Sequence, residues 1–253
     1  VLAADPFDTE KGILEEAMVT VVLPYVKTAR EGVKYLGDIV EKHGAAEADG
    51  ILFGDRDEAW YMEIGSGHHW VAMRIPDDSY AVIANQLAIP EIDFNDSKNF
   101  LFSKGIQEFI KENKLWPADR PFNFREIFGT HDDSDLHYNT PRVWIGQKLL
   151  TPSVAQEPES FDLPFVQKAD KPISIRDAQD VLCNHYQNTP YDLTNPKNND
   201  NATYRPISVA TTQESHLLEL NGEKMVHWLA MGVGAQSVYA PFYPQGTKVP
   251  TMY

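Results

Sequence analysis

The sequence predicts an α+β fold with mainly antiparallel sheets. Three observations lead to this prediction. Helical stretches and groups of short alternating strands follow one another in the order helices, strands, helices, strands. Tight turns separate the predicted strands within each group, and short turns join antiparallel neighbours. The two strand groups stand apart in the chain, so we expect two sheets packed face to face with helices outside.

The first predicted element is a helical stretch over residues 13–43. Apolar residues recur at helical spacing on both sides of Pro24, which is expected to kink or split the stretch. Gly44 follows Lys42 and His43 and provides a helix stop.

Residues 50–85 predict four short strands. Residues with turn chemistry separate the apolar runs at 55–57, 65–67 and 77–79. The fourth strand is expected to run from Tyr80 to Asn85, so it ends on a polar residue where an apolar one was due. An amide at the end of a central strand is often positioned to contact another group, which makes Asn85 a candidate functional residue.

Further helices and strands follow. Residues 86–100 are expected to form a loop. Helices are predicted over residues 103–116, 123–128 with Asn123 as the cap, 140–150, and 174–187 opened by a variant of the capping box. Strands are predicted over residues 207–212, 216–220, 226–232 and 236–239, with one turn at Asn221-Gly222.

The composition limits the classes of partner. The net charge of −15 argues against nucleic acid and against an anionic membrane surface, because its long-range field repels both. No run of 18 apolar residues is present, so we expect no membrane span. Cys183 is the only cysteine, which excludes an internal disulfide and favours a reducing, cytoplasmic location.

Arg142 is the second candidate functional residue. It falls in the first turn of the predicted helix 140–150, where its positive charge opposes the helix dipole. A buried partner or a bound carboxylate would account for that placement. Alternatively, Arg142 is a surface arginine whose stem packs on Trp144 or Tyr138, and the sequence leaves both interpretations open.

Three other features carry weaker functional signals. The acidic segment from His131 to His137 has oxygen ligands that suit a hard cation, but a solvated turn is the simpler interpretation. His68 and His69 point to opposite faces of a regular strand and are expected to be structural. Cys183 is expected to be a small buried residue within the helix 174–187. We therefore expect no metal and no cofactor.

Five dispersed motifs carry a family resemblance. They are LAADPFD at residues 2–8, GHHW at 67–70 followed by a strand that ends in Asn-Gln, YNTPRVW at 138–144, HYQNTPYD at 185–192, and VHWLAMG at 226–232 with APFY at 240–243. In this order they resemble the bacterial cysteine dipeptidases of the N-terminal-nucleophile hydrolase superfamily. Penicillin V acylase, bile-salt hydrolase and the secernins are relatives of that family, and the resemblance runs through nearly all of the chain.

The resemblance implies a four-layer αββα sandwich and a hydrolytic mechanism. The nucleophile in that family is a cysteine that becomes residue one after processing, and its own α-amine accepts the proton. By motif position, Asn85 resembles the asparagine that donates to the oxyanion. Arg142 resembles the active-site arginine that orients the nucleophile or the substrate. The implied partner is a dipeptide substrate, without a cofactor.

The family's cysteine belongs to a segment that precedes LAADPFD, and Val1 cannot act as a nucleophile. We therefore expect residues 1–253 to be one partial domain, the middle portion of a dipeptidase, with a sandwich that is incomplete because its N-terminal strands are absent. The nucleophile would lie outside this chain, and the chain alone would be inactive. Family analogy also favours a homo-oligomer. Two alternatives stay open: a non-catalytic, secernin-like binder of peptides or partners, and a metal-assisted hydrolase that uses residues 131–137.

Overall fold

The computed structural model describes residues 1–198, 203–220 and 225–248, so the turn predicted at Asn221-Gly222 lies outside the described residues. The chain divides into two compact units. The first comprises Val1–Ala81 and Asn85–Thr130, and the second comprises Val82–Ala84 and His131–Tyr253. Both contain helices, and each contains an antiparallel sheet, which confirms the α+β class. The four-layer sandwich and the single domain stay predictions.

The first unit begins with two helices that Pro24 separates, as predicted. Helix α1 spans Glu15–Val22, a 3-10 turn that contains Pro24 spans Leu23–Tyr25, and helix α2 spans Ala29–His43. Gly44 ends α2 with a φ of 81°, a left-handed value that favours glycine. Both boundaries therefore follow from local backbone chemistry.

The sheet of the first unit packs against α2. Strands β1 (Asp49–Gly54), β2 (Ala59–Ile64) and β3 (Trp70–Ile75) are consecutive antiparallel neighbours, which confirms three of the four strands predicted over residues 50–85. One face of the sheet and the apolar face of α2 share a core that includes Val33, Leu36, Val40, Trp60, Met62 and Ile64. This core holds the helix on the sheet.

The prediction of a strand from Tyr80 to Asn85 is wrong. Strand β4 covers only Tyr80–Ala81, and Asn85 lies in an exposed bend beyond its end. The fourth strand of the sheet is β5, Phe100–Phe102, which pairs with β3 and starts in the segment predicted to be a loop. Because strand pairing joins residues distant in sequence, the order of strands could not be read from the alternating pattern alone.

Asp96 forms the turn that precedes β5. Its carboxylate accepts hydrogen bonds from the backbone N–H of Lys98 at 3.1 Å and of Asn99 at 3.2 Å. The Asn99 carbonyl then accepts the N–H of Arg74 at 2.8 Å, which begins the contact with β3. A side chain that binds backbone N–H groups two and three residues ahead is a local turn device. The short apolar run at 100–102 thereby enters the sheet.

The remaining elements of the first unit are helices α3 (Ile106–Glu112) and α4 (Phe124–Phe128). The Asn123 side chain accepts the Glu126 N–H and caps α4, as predicted. The second unit contains helices α5 (Asp135–Tyr138), α6 (Thr140–Leu150) and α7 (Ile175–Leu182), together with strand β6 (Val166–Gln167). The bounds of α6 are those predicted, and the predicted capping box opens α7 through Ser174 and Asp177.

The second unit ends in a three-stranded antiparallel sheet of β7 (Glu214–Glu219), β8 (Val226–Met231) and β9 (Ala240–Phe242). The strands predicted at 207–212 and 236–239 are wrong. At the first, the N–H and hydroxyl of Thr212 both donate to the Val209 carbonyl and close a turn. At the second, a 3-10 turn and an Ser237 hydroxyl bonded to Met231 precede β9. In the described residues, no helix is long and apolar enough to cross a membrane.

Gly37 lets α2 pack closely on the sheet, because a Cβ atom added there would overlap the indole ring of Trp70. We expect Gly37→Ala to lower the free energy of unfolding by about 1–2 kcal/mol. Overpacking costs about 1–3 kcal/mol, and alanine regains at most about 1 kcal/mol in helix propensity. Chemical denaturation measures the change.

The control is Asp38→Ala, at the exposed neighbouring position, where a change of no more than about 0.5 kcal/mol is expected. A stabilised Gly37→Ala variant would show that the Trp70 ring can move aside without cost.

Candidate functional site

The segment that follows Asn85 is bound by a buried carboxylate. Glu63 lies in β2 and is fully buried. Its two oxygens accept the backbone N–H groups of Ala88 at 2.6 Å and of Ile89 at 3.0 Å. This carboxylate therefore ties a non-strand segment to a central strand of the sheet.

Helix α4 binds the same segment from its other side. The carbonyls of Ile89 and Pro90 accept the N–H groups of Arg125 at 3.0 Å and of Phe124 at 2.9 Å. These two N–H groups belong to the first turn of the helix, where no intrahelical acceptor is available. Residues 88–90 are thus held by both partners, and the bend at Asn85 stands directly before a fixed piece of backbone.

Burial raises the pKa of Glu63 to about 7. Hydrogen bonds from Ala88, Ile89 and Tyr61 and the positive charge of Arg125 oppose this effect, because they stabilise the charged form. Glu63 was not among the predicted site residues. The available signal was the single charged residue in the otherwise uncharged strand sequence AWYMEI.

Arg142 lies in the first turn of α6, as predicted, and its guanidinium rests on Tyr138. The centre of the guanidinium is 4.8 Å from the centroid of the tyrosine ring. The Nε atom donates to the Tyr138 carbonyl at 2.7 Å, and Nη2 donates to the Asn139 side-chain oxygen at 2.8 Å. One interpretation of the sequence placed Arg142 against Tyr138, and this contact is present. The two hydrogen bonds fix the direction of the guanidinium.

A second arginine shares the same ring. The Arg205 guanidinium is centred 4.7 Å from the Tyr138 centroid. Burial lowers the pKa of Arg142, and the charge of Arg205 lowers it further. The sequence contains no local signal for this pairing, because Arg205 belongs to a distant loop that no periodic pattern marks.

An aromatic cluster supports this region of the second unit. It consists of Trp144, Tyr186, Tyr191 and Tyr204, with Trp144 on α6. Tyr186 is fully buried and donates its hydroxyl to the Arg205 carbonyl at 2.8 Å. Tyr186 and Tyr191 come from the motif HYQNTPYD, so the motif supplies rings to this cluster. The Tyr186 hydroxyl joins the cluster to the backbone of Arg205.

Cys183 lies just past the end of α7 rather than within it. The helix was predicted to extend to residue 187, but α7 ends at Leu182 and Cys183 is its C-cap. The half-buried thiol donates to the Gly234 carbonyl at 3.1 Å, and burial raises its pKa. A raised pKa leaves less thiolate at neutral pH, so this environment does not suit a nucleophile.

His68 and His69 have separate structural partners, in agreement with the prediction. His68 Nδ1 is 2.8 Å from the Asp5 carboxylate, which also accepts the Ser66 hydroxyl. His69 Nδ1 contacts the Ser103 hydroxyl at 3.0 Å. The two rings therefore bind different parts of the first unit.

The acidic segment 131–137 contributes to packing. Asp135 is buried and accepts a hydrogen bond from the Asn139 side-chain amide. His131 lies against the ring of Phe161. Over the described ranges, no group of three or more His, Cys, Asp or Glu side chains is arranged to hold a metal ion.

The two predicted site residues belong to different units, Asn85 to the first and Arg142 to the second, and each is described by itself. Asn85 precedes the backbone segment 88–90, which hydrogen bonds hold in place. Arg142 shares the ring of Tyr138 with Arg205.

Comparison with known proteins gives consistent matches. The profile described as "Peptidase family C69" matches residues 1–253. A "Probable dipeptidase" of Latilactobacillus sakei is 49% identical over all of the chain and 54% of the relative. "Dipeptidase A" of Lactobacillus helveticus is 39% identical over 96% of the chain and 52% of the relative. "Probable dipeptidase A" of Streptococcus pyogenes serotype M18 is 38% identical over all of the chain and 55% of the relative. The chain thus spans about half the length of these curated relatives.

Glu63 makes stability depend on pH. Its pKa is raised from 4.5 in the unfolded chain to about 7 in the fold. The folded state therefore holds the proton more tightly, and its contribution to the free energy of unfolding is complete below pH 4.5 and is lost as the pH rises to about 7. Denaturation at pH 4.5–8 should show this decrease.

Burial and nearby acids also raise the pKa of Asp49, to about 6, so Asp49 adds its own pH dependence. Asp49 is present in both wild type and Glu63→Gln, so the difference between their free energies of unfolding isolates the effect of Glu63. At pH 4.5 Glu63→Gln should be less stable than wild type by about 1–3 kcal/mol, since an amide offers one oxygen to two N–H donors. This deficit should shrink as the pH rises to 8, because only the wild-type protein loses the contribution of Glu63. Glu112→Gln, at an exposed position, serves as the control. A difference that does not vary with pH would mean that Glu63 keeps an ordinary pKa.

Proposed function

The chain belongs to peptidase family C69, and on that premise we propose that the protein hydrolyses the peptide bond of dipeptides. The observation that carries the proposal is the match of the family profile to all 253 residues. The printed names of the most similar relatives, dipeptidase and probable dipeptidase, support hydrolysis rather than a purely binding role.

The proposed nucleophile is a cysteine outside these 253 residues. Cys183 is the only cysteine within them, and its raised pKa and its bond to Gly234 make it unsuitable. In the proposed reaction, the thiolate adds to the scissile carbonyl and the amine of the second residue leaves with a proton. Water then hydrolyses the thioester, which releases the first residue and regenerates the thiol.

Asn85 and Arg142 are proposed to assist this chemistry. A tetrahedral intermediate carries negative charge on the former carbonyl oxygen, and a side-chain amide such as that of Asn85 can donate a hydrogen bond to it. The double attachment of residues 88–90 to Glu63 and to α4 supports this role, because donors must be positioned before the charge develops. Arg142 is proposed to orient the substrate from its fixed place on Tyr138.

The four-layer αββα arrangement within one domain is part of the same proposal. It is supported by the antiparallel sheet that each unit contains and by α2, which covers one face of the sheet in the first unit. The cytoplasmic location and the homo-oligomeric state stay predictions from the sequence.

Asn85→Ala tests the oxyanion role in the complete protein. We expect kcat for dipeptide hydrolysis to fall by about 100-fold to 1,000-fold, with a much smaller change in KM, because the lost hydrogen bond acts mainly in the transition state. Asn95→Ala, at an exposed position of the same unit, is the matched control and should keep the wild-type rate. An unchanged rate in Asn85→Ala would remove Asn85 from the mechanism.

Cys183→Ala tests the assignment of the nucleophile. We expect the variant of the complete protein to hydrolyse dipeptides at a rate within about threefold of wild type, because the thiol donates to Gly234, contacts Tyr239 and packs at the end of α7, which are structural roles. Steady-state kinetics with a purified dipeptide measures this. Complete loss of turnover in a variant that still unfolds cooperatively would identify Cys183 as the nucleophile instead.

A further inference from the structure

Two guanidinium groups meet at one partly exposed aromatic ring. We call the three residues Tyr138, Arg142 and Arg205 the arginine platform. Both guanidinium groups are centred within 5 Å of the Tyr138 centroid, and 41% of the Tyr138 surface is exposed to solvent. The platform is therefore accessible to a small ligand.

The platform concentrates positive charge in an acidic protein. The chain carries 22 basic residues against 37 acidic ones, yet two of the basic side chains share a single ring. Like charges at short distance repel each other, and the lowered pKa of Arg142 reflects the charge of Arg205 in addition to burial. An anion bound between or beside the two groups would relieve this repulsion.

Arg205 has hydrogen-bond donors to offer. In the part of the chain that the structure describes, its guanidinium forms neither an ion pair nor a hydrogen bond and only rests on Tyr138. A guanidinium presents five N–H donors in a planar fork that matches a carboxylate. Stacking on Tyr138 uses the flat face of the guanidinium, so its N–H donors remain able to bind a carboxylate.

The backbone fixes the position of Arg205. Its N–H donates to the His137 carbonyl at 3.1 Å, and its carbonyl accepts the hydroxyl of the buried Tyr186 at 2.8 Å. On the other side of the platform, Arg142 is held by Tyr138 and Asn139. The two cations are thus oriented in advance, which lowers the entropy cost of binding an anion.

The Glu159 carboxylate is already engaged by other side chains. The Glu159 carboxylate accepts the Tyr204 hydroxyl at 2.7 Å and lies 3.5 Å from His137 Nδ1. It therefore contacts the residues that flank the platform. The arginines themselves make no ion pair with it among the pairs that the structure shows for Glu159.

We propose that Arg205, together with Arg142, binds the free C-terminal carboxylate of the dipeptide substrate. This inference rests on the proposed function, and it names the substrate group that the second unit recognises. Every dipeptide carries this carboxylate next to its single peptide bond, whatever its side chains. Two oriented guanidinium groups therefore recognise a feature common to all dipeptides and absent from their amides.

The test measures binding without turnover. The probes are an alanyl-alanine analogue with a reduced peptide bond and the C-terminal amide of the same analogue, each titrated calorimetrically into the complete protein. We expect Arg205→Met to weaken binding of the acid by about tenfold or more and to leave binding of the amide within about twofold. Arg205→Lys, which keeps the charge but not the fork, should fall between Arg205→Met and wild type.

Arg176→Met is the matched control. Arg176 is an exposed arginine of the same unit that pairs with Asp180, and its loss should change neither affinity. Equal weakening of acid and amide binding by Arg205→Met would overturn the inference, because a structural role affects both. No preference for the acid over the amide in the wild-type protein would overturn it as well.

Dipeptide hydrolysis, assayed separately, distinguishes the two proposals. Carboxylate-dependent binding that requires Arg205, in a protein that does not hydrolyse dipeptides, would refute the proposed function and support the binding site. Hydrolysis with an unchanged ratio of kcat/KM for a dipeptide and its amide in Arg205→Met would support the function and refute the site.

Discussion

A carboxylate placed in the interior of a protein must have its oxygens satisfied, and Glu63 imposes this requirement on the first unit. Its neighbours in β2 are packed against α2 on one face, while its own side chain points to the other and binds Ala88 and Ile89. The same backbone segment supplies the acceptors that the first turn of α4 needs. Sheet, bend and helix therefore depend on one buried ionisable group, which couples their position to its protonation.

Elements with local signals could be predicted from the sequence. Gly44, Asn123 and the pair Ser174 and Asp177 act on backbone within a few residues, and the structure places the helix ends where these residues stand. The coarse fold class followed from the order of these elements.

Features that depend on distant residues could not be predicted. The pairing of β5 with β3 joins strands separated by a long loop, and the strand expected to end at Asn85 stops at Ala81 instead. The contact between Arg142 and Tyr138 lies within one turn and was among the interpretations, whereas Arg205 reaches the same ring from another part of the chain. Glu63 stood out only as a charge among uncharged residues, and its partners were not visible in the pattern.

The packing of α2 on the sheet has a consequence for sequence divergence. Gly37 leaves the space that the indole of Trp70 fills, and Gly32 does the same for the ring of Phe53. Each glycine and its ring therefore behave as an epistatic pair. A larger residue on the helix becomes tolerable only after a smaller one has replaced the aromatic partner, and the reverse order leaves a cavity. Homologous proteins should change positions 37 and 70 together, so their covariation records the distance between helix and sheet.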